Sequence, residues 1–481
     1  MSEQLHKNYI GGQWLEGKDV NQNINPSDTS DVVGLYARGS AADCQSAIEA
    51  AKQAFASWQF SGLEQRKAIL DFIGAELIER SKEIGAVLSR EEGKPLAEGA
   101  GEVYRAGQFF QYYGAEVLRQ MGETAASVRP GIDVEVHREP LGVIAVVTPW
   151  NFPVAVAAWK IAPALAFGNS IVLKPADLTP ASAWILADII SRSGLPEGVF
   201  NLVMGSGREV GDHLCSSPDV QAISFTGSVP VGRQIAANAI KNMARVQLEM
   251  GSKNALVVLD DADIDVAVAC AVNGAFFGTG QKCTASSRLI VQSGIHDEFV
   301  AKMKEAMSAL VVGHAQKEGT QIGPVVDSKQ FEQNRRYMEI ALEGGATLAQ
   351  GGEVLELDTE GYFMTPALFT DTTNDMVVNR EEIFGPIACV IKIDSYEDAL
   401  ATCNDSEFGL TAGIITTSLK HSAHFKRHAQ SGCVMVNLPT AGTDYHVPFG
   451  GRKSSSYGPR EQGQYAKEFY TIVKTNYSKP Y

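Results

Sequence analysis

The sequence predicts an α/β protein with two large domains or more. From Gly142 onward, short β-branched runs alternate with amphipathic segments, which is typical of βαβ units and a parallel sheet. A second alternating region begins near Asp263, carries Cys283 and continues to the run GCVMVN. The chain has 481 residues, which is too long for one compact hydrophobic core, so we expect separate domains.

The segments outside these regions have other patterns. Residues 41–119 are predicted to be mainly helical, because apolar residues recur there at helical spacing. Residues 123–140 and 467–481 alternate β-type residues and fit neither domain pattern. A small β arm that pairs with another subunit would explain both segments, so we expect a homo-oligomer.

The composition indicates an acidic enzyme that acts on small molecules. The formal net charge is −15, and no stretch gathers Lys and Arg into a patch. We therefore expect neither nucleic acid nor a membrane as a partner. The apolar segment from Leu141 to Leu173 is interrupted by Pro149, Asn151 and Lys160, so we interpret it as buried α/β core.

The cysteines indicate a reduced, cytoplasmic protein with one candidate nucleophile. There are seven, with no CxxC pair and no Cys/His cluster at metal spacing, so we expect neither a disulfide framework nor a metal site. The N-terminus has no apolar core of signal-peptide length. Most cysteines lie among aliphatic residues, but Cys283 lies among small and polar residues in FFGTGQKCTASSR, where a thiol can meet a substrate.

Other candidate functional residues lie at the ends of predicted strands, where doubly wound sheets bind ligands. Asn151, in the run TPWNFP, has a side-chain amide that can donate to a developing oxyanion; the alternative is a turn residue ahead of Pro153. Glu249 ends an apolar strand, where burial of a carboxylate is energetically unfavourable unless it is paired or functional. It is our candidate for a general base.

Two further strand ends suit a dinucleotide. In the run FTGS, Ser228 can cap the following helix, whose N–H groups can hold a pyrophosphate. Lys174 is either an edge charge or a ligand for ribose hydroxyls or phosphate. Asp177 either accepts from a ribose 2′-OH or caps the helix starting at Pro180. The glycine-rich run 205–211 has the wrong spacing for a dinucleotide fingerprint, and we interpret it as a turn and helix start.

Six motifs in a fixed order carry a resemblance to a known family. TPWNFP, LKPAD, FTGS, LEMGSK, GQKC and EEIFGP, over residues 148–386, closely resemble the aldehyde dehydrogenase superfamily, and the resemblance extends over essentially the whole chain. It implies an α/β fold with a Rossmann-like dinucleotide-binding domain, an α/β catalytic domain and a small β oligomerisation arm. The ranges are 1–122 and 141–253 for the NAD(P)-binding domain, 254–436 for the catalytic domain, 123–140 and 467–481 for the arm, and 437–466 for a substrate loop region.

The resemblance also implies residue roles. Cys283 would be the nucleophile, Glu249 the general base, and Asn151 with the Cys283 backbone N–H the oxyanion hole. The implied reaction oxidises an aldehyde to an acid through a thiohemiacetal and a thioester, in a homodimer or homotetramer. The residues implied at NAD or NADP are Trp150, Lys174, Asp177, Gly227, Ser228, Glu382 and Phe384.

Two positions depart from the family pattern. The family usually has Glu at the position of Asp177 and Gly at the position of Ser252. The shorter carboxylate should exclude a 2′-phosphate less well, so the choice between NAD and NADP stays open. Ser252 adds a side chain next to Glu249, where we expect altered contacts without loss of activity.

The substrate is indicated by the C-terminal region. Residues 437–470 most resemble the branch of the family that oxidises 2-oxoglutarate semialdehyde. Trp159 stands where succinate semialdehyde dehydrogenases commonly carry Arg. Succinate semialdehyde or a broad aldehyde range remain alternatives, as do a catalytically silent binding protein and a thiol esterase. The residues implied around the pocket are Phe152, Trp159, Thr284, Asn437, Thr440, His446 and Phe449.

Overall fold

The computed structural model describes residues 4–480 and confirms the α/β fold. Its framework is one sheet of eight strands and one of seven, with two further sheets of three strands each. Within the described residues, no helix combines the length and apolar character that a bilayer crossing requires.

The chain begins with five strands and four helices. The strands are β1 (Leu5–His6), β2 (Asn8–Ile10), β3 (Gln13–Leu15), β4 (Asp19–Asn25) and β5 (Asp28–Arg38). The helices are α1 (Ala41–Trp58), α2 (Leu63–Glu79), α3 (Ser81–Glu92) and α4 (Leu96–Glu116), so the helical prediction for residues 41–119 is confirmed. A capping box starts α1, since Ser40 and Asp43 each accept from the other's backbone N–H.

The first large sheet contains the predicted βαβ units. After β6 (Glu123–Ala126) and β7 (Asp133–Pro140), its strands are β8 (Val143–Val147), β9 (Ser170–Lys174), β10 (Phe200–Leu202), β11 (Ala222–Thr226) and β12 (Arg245–Glu249). The helices between them are α5 (Ala155–Ala166), α6 (Pro180–Ser191), α7 (Asp212–Ser216) and α8 (Val229–Ala239). β8, β9, β11 and β12 are parallel to their neighbours in this group, so their carboxyl ends meet at one edge.

The second large sheet lies entirely within residues 254–436. Its strands are β13 (Asn254–Val258), β14 (Ser286–Gln292), β15 (Thr347–Gln350), β16 (Ala367–Thr372), β17 (Ile387–Ile393), β18 (Thr411–Ile415) and β19 (Cys433–Val436), in the order β15-β16-β17-β14-β13-β18-β19. Its helices are α9 (Ile264–Phe276), α10 (His296–Ser308), α11 (Ser328–Glu343), α12 (Val377–Arg380), α13 (Tyr396–Asn404) and α14 (Leu419–His428). β13 and β18 are buried along their whole length, as expected for a covered parallel sheet.

The last elements return to the first half of the chain. They are β20 (Ser456–Tyr457), α15 (Lys467–Tyr470) and β21 (Thr471–Ser478). β20 pairs with β12 at the edge of the eight-stranded sheet, whose order is β20-β12-β11-β8-β9-β10-β2-β3. β21 pairs antiparallel with β7, and β7 with β6, so the two segments predicted as an arm form one three-stranded sheet. The fourth sheet has the order β1-β5-β4.

Candidate active site

One cavity of about 970 Å³ lies where the carboxyl ends of the first sheet meet the loops of the second. Its walls combine residues that are far apart in the sequence, as expected for a site beyond strand ends. The wall residues include Trp150, Asn151 and Phe152 after β8, Thr226, Gly227 and Ser228 at the end of β11, Glu249 at the end of β12, and Cys283, Thr284, Glu382 and Phe384 from the second half of the chain.

Cys283 lies in the loop between α9 and β14 and is half-buried. Its backbone carbonyl accepts a hydrogen bond from Asn254 Nδ2 at 2.8 Å. Upstream, Gly280 has φ +65°, and a Cβ there would overlap the carbonyl oxygen of Gly385. The path of the loop that carries Cys283 therefore requires glycine at position 280.

The Cys283 thiol is protonated at neutral pH. Burial, and then the negative charges of Glu382 and Glu249, raise its pKa to about 12. A hydrogen bond from its own backbone N–H opposes the increase. A thiol with such a pKa must lose its proton before it can react as a nucleophile, because the thiolate is the nucleophilic form.

Asn151 connects the end of β8 to the loop that carries Cys283 through a side-chain hydrogen bond. Its Nδ2 donates to the carbonyl of Gln281 at 2.9 Å, and the side chain is buried. Because an amide nitrogen carries two hydrogens, one remains for a ligand. The backbone carbonyl of Asn151 accepts from Lys94 Nζ at 2.7 Å, and Lys94 forms a buried ion pair with Glu102 at 2.6 Å. Asn151 is thus held from both sides.

Glu249 is buried at the end of β12. Its Oε2 accepts a hydrogen bond from the Ser456 hydroxyl in β20 at 2.6 Å. Burial raises the pKa of Glu249 to about 8, although the bond from Ser456 opposes the increase. The carboxyl group is therefore mostly neutral at pH 7 and becomes a base as the pH rises through 8.

The opposite part of the cavity suits a dinucleotide. Ser228 occupies the N-cap position of α8, but the expected capping bond is absent, so the first N–H groups of α8 carry no side-chain cap. Such a helix start can accept a pyrophosphate. Across the cavity, the rings of Trp150 and Phe384 meet edge to face at 5.4 Å, and Glu382 accepts from the backbone N–H of Ser252 at 2.8 Å.

Lys174 and Asp177 lie beyond the cavity wall, at the end of β9. Lys174 Nζ is 3.7 Å from the Asp177 carboxylate, and the Arg38 guanidinium is 3.9 Å from the same carboxylate. The alternative that Asp177 caps α6 is wrong, because the N-cap residue is Thr179 and the first N–H groups of the helix donate to Glu91. Asp177 thus lies between the buried Lys174 and the partly exposed Arg38.

Comparison with known proteins identifies the family. Residues 14–476 match the aldehyde dehydrogenase family. The chain belongs to this family.

Relatives and solved structures agree with that assignment. An α-ketoglutaric semialdehyde dehydrogenase of Bacillus subtilis is 40% identical over 484 residues, which cover 99% of each chain. A vanillin dehydrogenase of Corynebacterium glutamicum is 39% identical over 97% of this chain and 96% of its own. A betaine aldehyde dehydrogenase of Staphylococcus aureus, crystallised with NAD+ and a modified cysteine, has a TM-score of 0.96 and 32% identity, covering 98% of this chain and 96% of its own. The protein is an NAD(P)-dependent aldehyde dehydrogenase, as the motifs implied.

Only some of the residues implied around the substrate line the cavity. Phe152, Trp159, Thr284 and Phe449 line the cavity of this aldehyde dehydrogenase. The other three do not. Asn437 bonds through its side chain to the backbone of Thr416, Thr440 donates to the carbonyl of Thr284 at 2.7 Å, and His446 is exposed beside Tyr445. Thr440 therefore acts through the backbone of Thr284, while Asn437 and His446 belong to the surrounding loops.

The hydrogen-bond partners of Ser252 differ from those that we expected. Its hydroxyl donates to Asn254 Oδ1 at 2.7 Å, so the added side chain supports the amide that holds the Cys283 carbonyl. It was expected to alter the surroundings of Glu249, whereas its partners are Asn254 and Glu382. The presence of serine at position 252 thus affects the loop that carries Cys283.

Several residues at this site were not predicted from the sequence. They are Lys94, Glu102, Arg105, Asn254, Gln281 and Ser456. The one local signal is the lysine in the run EEGKPL, between α3 and α4, because a cation there follows two glutamates. The remaining residues reach the cavity only through tertiary contacts.

Proposed function

We propose that this enzyme oxidises 2-oxoglutarate semialdehyde (2,5-dioxopentanoate) to 2-oxoglutarate, with Cys283 as nucleophile, Asn151 in the oxyanion hole and Glu249 as general base. The observation that carries the catalytic part is that all three side chains line one cavity. The substrate part is supported by the Bacillus subtilis relative named for this semialdehyde, whose sequence aligns over 99% of both chains.

The first step is addition of sulfur to the aldehyde. The Cys283 thiol first releases its proton to solvent, which leaves Glu249 available for the second step. The sulfur then bonds to the carbonyl carbon, and the carbonyl oxygen becomes an alkoxide. The second hydrogen of Asn151 Nδ2 and the Cys283 backbone N–H donate to this oxygen, which lowers the energy of the charged transition state.

The second step releases the acid. When bound, the nicotinamide supplies the hydride acceptor that converts the thiohemiacetal to a thioester. Glu249 takes a proton from water, the water oxygen bonds to the thioester carbon, and the C–S bond breaks to return Cys283. Because burial raises the pKa of Glu249 to about 8, the deacylation rate increases with pH through that value.

Two other substrate assignments compete with this one. The vanillin dehydrogenase relative, at 39% identity, favours a broad range of aldehydes as the second candidate. Succinate semialdehyde is disfavoured by Trp159, whose uncharged ring lines the cavity. A silent binding protein or an esterase is disfavoured because the chain retains Cys283 and Glu249 together with a helix start suited to a dinucleotide.

A panel of aldehydes tests the proposal. The kcat/KM of the enzyme is measured with NAD and with NADP for 2-oxoglutarate semialdehyde, succinate semialdehyde, vanillin and betaine aldehyde, and Cys283→Ser is the inactive control. We expect the highest kcat/KM for 2-oxoglutarate semialdehyde. A higher value for vanillin or betaine aldehyde contradicts the substrate assignment, and an active Cys283→Ser variant contradicts the nucleophile.

We also infer a homodimer or homotetramer joined through the β21-β7-β6 sheet, in the cytoplasm. The apolar residues Ile472, Val473 and Tyr477 on β21 are 49%, 52% and 62% exposed in the single chain, which suits burial against a second subunit. Sedimentation of the wild type and of Val473→Asp tests the oligomer. A monomeric wild type contradicts it.

A further inference from the structure

One face of α4 forms part of the cavity wall. Glu98, Glu102, Arg105 and Phe109 recur there at helical spacing. The two glutamates already have partners, because Glu98 accepts from the backbone N–H of Gly278 at 3.2 Å and Glu102 pairs with Lys94. Arg105 is the charged residue of this face whose bonding capacity is largely unused.

The Arg105 guanidinium makes a single protein hydrogen bond in the part of the chain that the structure describes. It donates from one nitrogen to the carbonyl of Thr443 at 2.9 Å, and it lies 5.8 Å from the centre of the Tyr445 ring. No carboxylate of residues 4–480 lies within ion-pair distance of it. A guanidinium has five N–H groups, so four remain for a ligand. The Thr443 bond and the Tyr445 ring hold the group in a defined place.

Aromatic side chains continue the cavity wall beside this cation. Phe109, one turn along α4, contacts Trp159 at 5.9 Å between ring centres, and Trp159 contacts Phe449 at 5.6 Å. A half-buried guanidinium beside such a wall gains most from an anion that accepts two parallel hydrogen bonds, and a carboxylate matches that geometry.

The other two cations of the substrate side suit a carboxylate less well. Lys94 is held by Glu102 and by the carbonyl of Asn151. Lys282 is half-buried and donates to the carbonyl of Asn273 at 2.9 Å, and burial lowers the pKa of its ammonium group to about 8, so its charge is more easily lost than that of an exposed lysine. Lys94 is neutralised by its ion pair, and the ammonium group of Lys282 lacks the two parallel donors of a guanidinium that match a carboxylate.

We propose that Arg105 is a specificity-determining residue that binds the carboxylate at the far end of a semialdehyde while its aldehyde group lies at Cys283. This inference rests on the proposed function, because it assumes a substrate with an aldehyde at one end and a carboxylate at the other. It assigns the recognition of that carboxylate to α4, whereas Trp159 on α5 contributes an apolar surface.

The test compares two aldehydes of equal length. 5-Oxopentanoate and pentanal differ only in the terminal carboxylate, so the ratio of their kcat/KM values measures recognition of that group. Loss of a hydrogen bond to a charged group predicts that Arg105→Met lowers kcat/KM for 5-oxopentanoate by about 10- to 100-fold, mostly through KM. For pentanal we expect a change of less than about threefold.

Matched variants separate recognition from structure. Arg105→Lys keeps the charge and should recover part of the loss, whereas Arg119→Met removes an exposed arginine just beyond α4 and should behave as wild type. Glutarate, as a competitive inhibitor, should bind Arg105→Met more weakly by a similar factor.

The outcomes distinguish this inference from the proposed function. Equal losses for 5-oxopentanoate and pentanal in Arg105→Met indicate a structural role and overturn the inference. So does a wild type that does not prefer 5-oxopentanoate to pentanal. A wild type that prefers 5-oxopentanoate to 2-oxoglutarate semialdehyde contradicts the proposed substrate, yet leaves Arg105 as the carboxylate ligand if Arg105→Met loses the preference for 5-oxopentanoate over pentanal.

Discussion

The hydrogen bond between Ser456 and Glu249 predicts a measurable change in pH dependence. The Ser456 hydroxyl donates to Glu249 Oε2 at 2.6 Å and thereby stabilises the ionised carboxylate. Ser456→Ala removes that stabilisation and leaves the burial. The pKa of Glu249 should therefore increase further above its present value of about 8.

The size of the change follows from the energy of such a bond. A hydrogen bond to a charged group contributes about 1.5 kcal/mol or more, and one pKa unit corresponds to about 1.4 kcal/mol, so the pKa should increase by about one unit. At pH 7 the ionised fraction of Glu249 then falls from about one tenth to about one hundredth. If deacylation limits turnover, kcat at pH 7 falls about tenfold and recovers at high pH.

The assay is a pH profile of kcat with a rapid-mixing measurement of the first turnover. In Ser456→Ala, a larger burst of reduced cofactor should precede a slower steady rate, because thioester accumulates when deacylation slows. Ser456→Thr keeps a hydroxyl and should retain the wild-type profile. A Ser456→Ala variant of normal melting temperature whose apparent pKa is unchanged or lower would refute the assignment of Glu249 as the deacylating base.

Three further predictions follow from the site. Asn151→Ala removes an oxyanion donor and should lower kcat by at least about 100-fold in a steady-state assay, and near-normal turnover would contradict its role. Asp177→Ala leaves the Arg38 guanidinium, now 3.9 Å from the carboxylate, free for a 2′-phosphate, so the NADP to NAD ratio of kcat/KM should increase about tenfold or more; an unchanged ratio would exclude this carboxylate from cofactor selection. Gly280→Ala places a Cβ against the Gly385 carbonyl at φ +65° and should destabilise by more than about 1 kcal/mol in denaturant unfolding, and equal stability would show that the loop can move.

The strand ends were predictable because one physical rule covers them. Parallel strands bring their carboxyl ends to one edge, so Asn151 and Glu249, each just after an apolar run, had to lie near one another. The polar loop around Cys283 differed locally from the aliphatic surroundings of the other cysteines. Local patterns of this kind were sufficient to single out the three residues that we propose as catalytic, which line one cavity.

The supporting residues depend on contacts that no local pattern encodes. Lys94 reaches the carbonyl of Asn151 across 57 positions, and Ser456 reaches Glu249 across 207. The sequence shows that Ser456 and Lys94 carry a hydroxyl and an ammonium group, but it does not show which distant residues these groups contact. Asn437 and His446, which we expected to border the pocket, do not line the cavity for the same reason, because the path of the last loop is set by packing.

The pairing of β20 with β12 has a consequence for biosynthesis. A strand near the end of the chain supplies both the outer edge of the first sheet and the hydroxyl that holds Glu249, so neither is complete until residue 457 has left the ribosome. Contacts of such long sequence separation form late and slowly. A nascent chain that already contains Asn151, Glu249 and Cys283 but lacks β20 is therefore expected to be inactive, and its unpaired β12 edge is exposed to association with other chains until β20 has been synthesised.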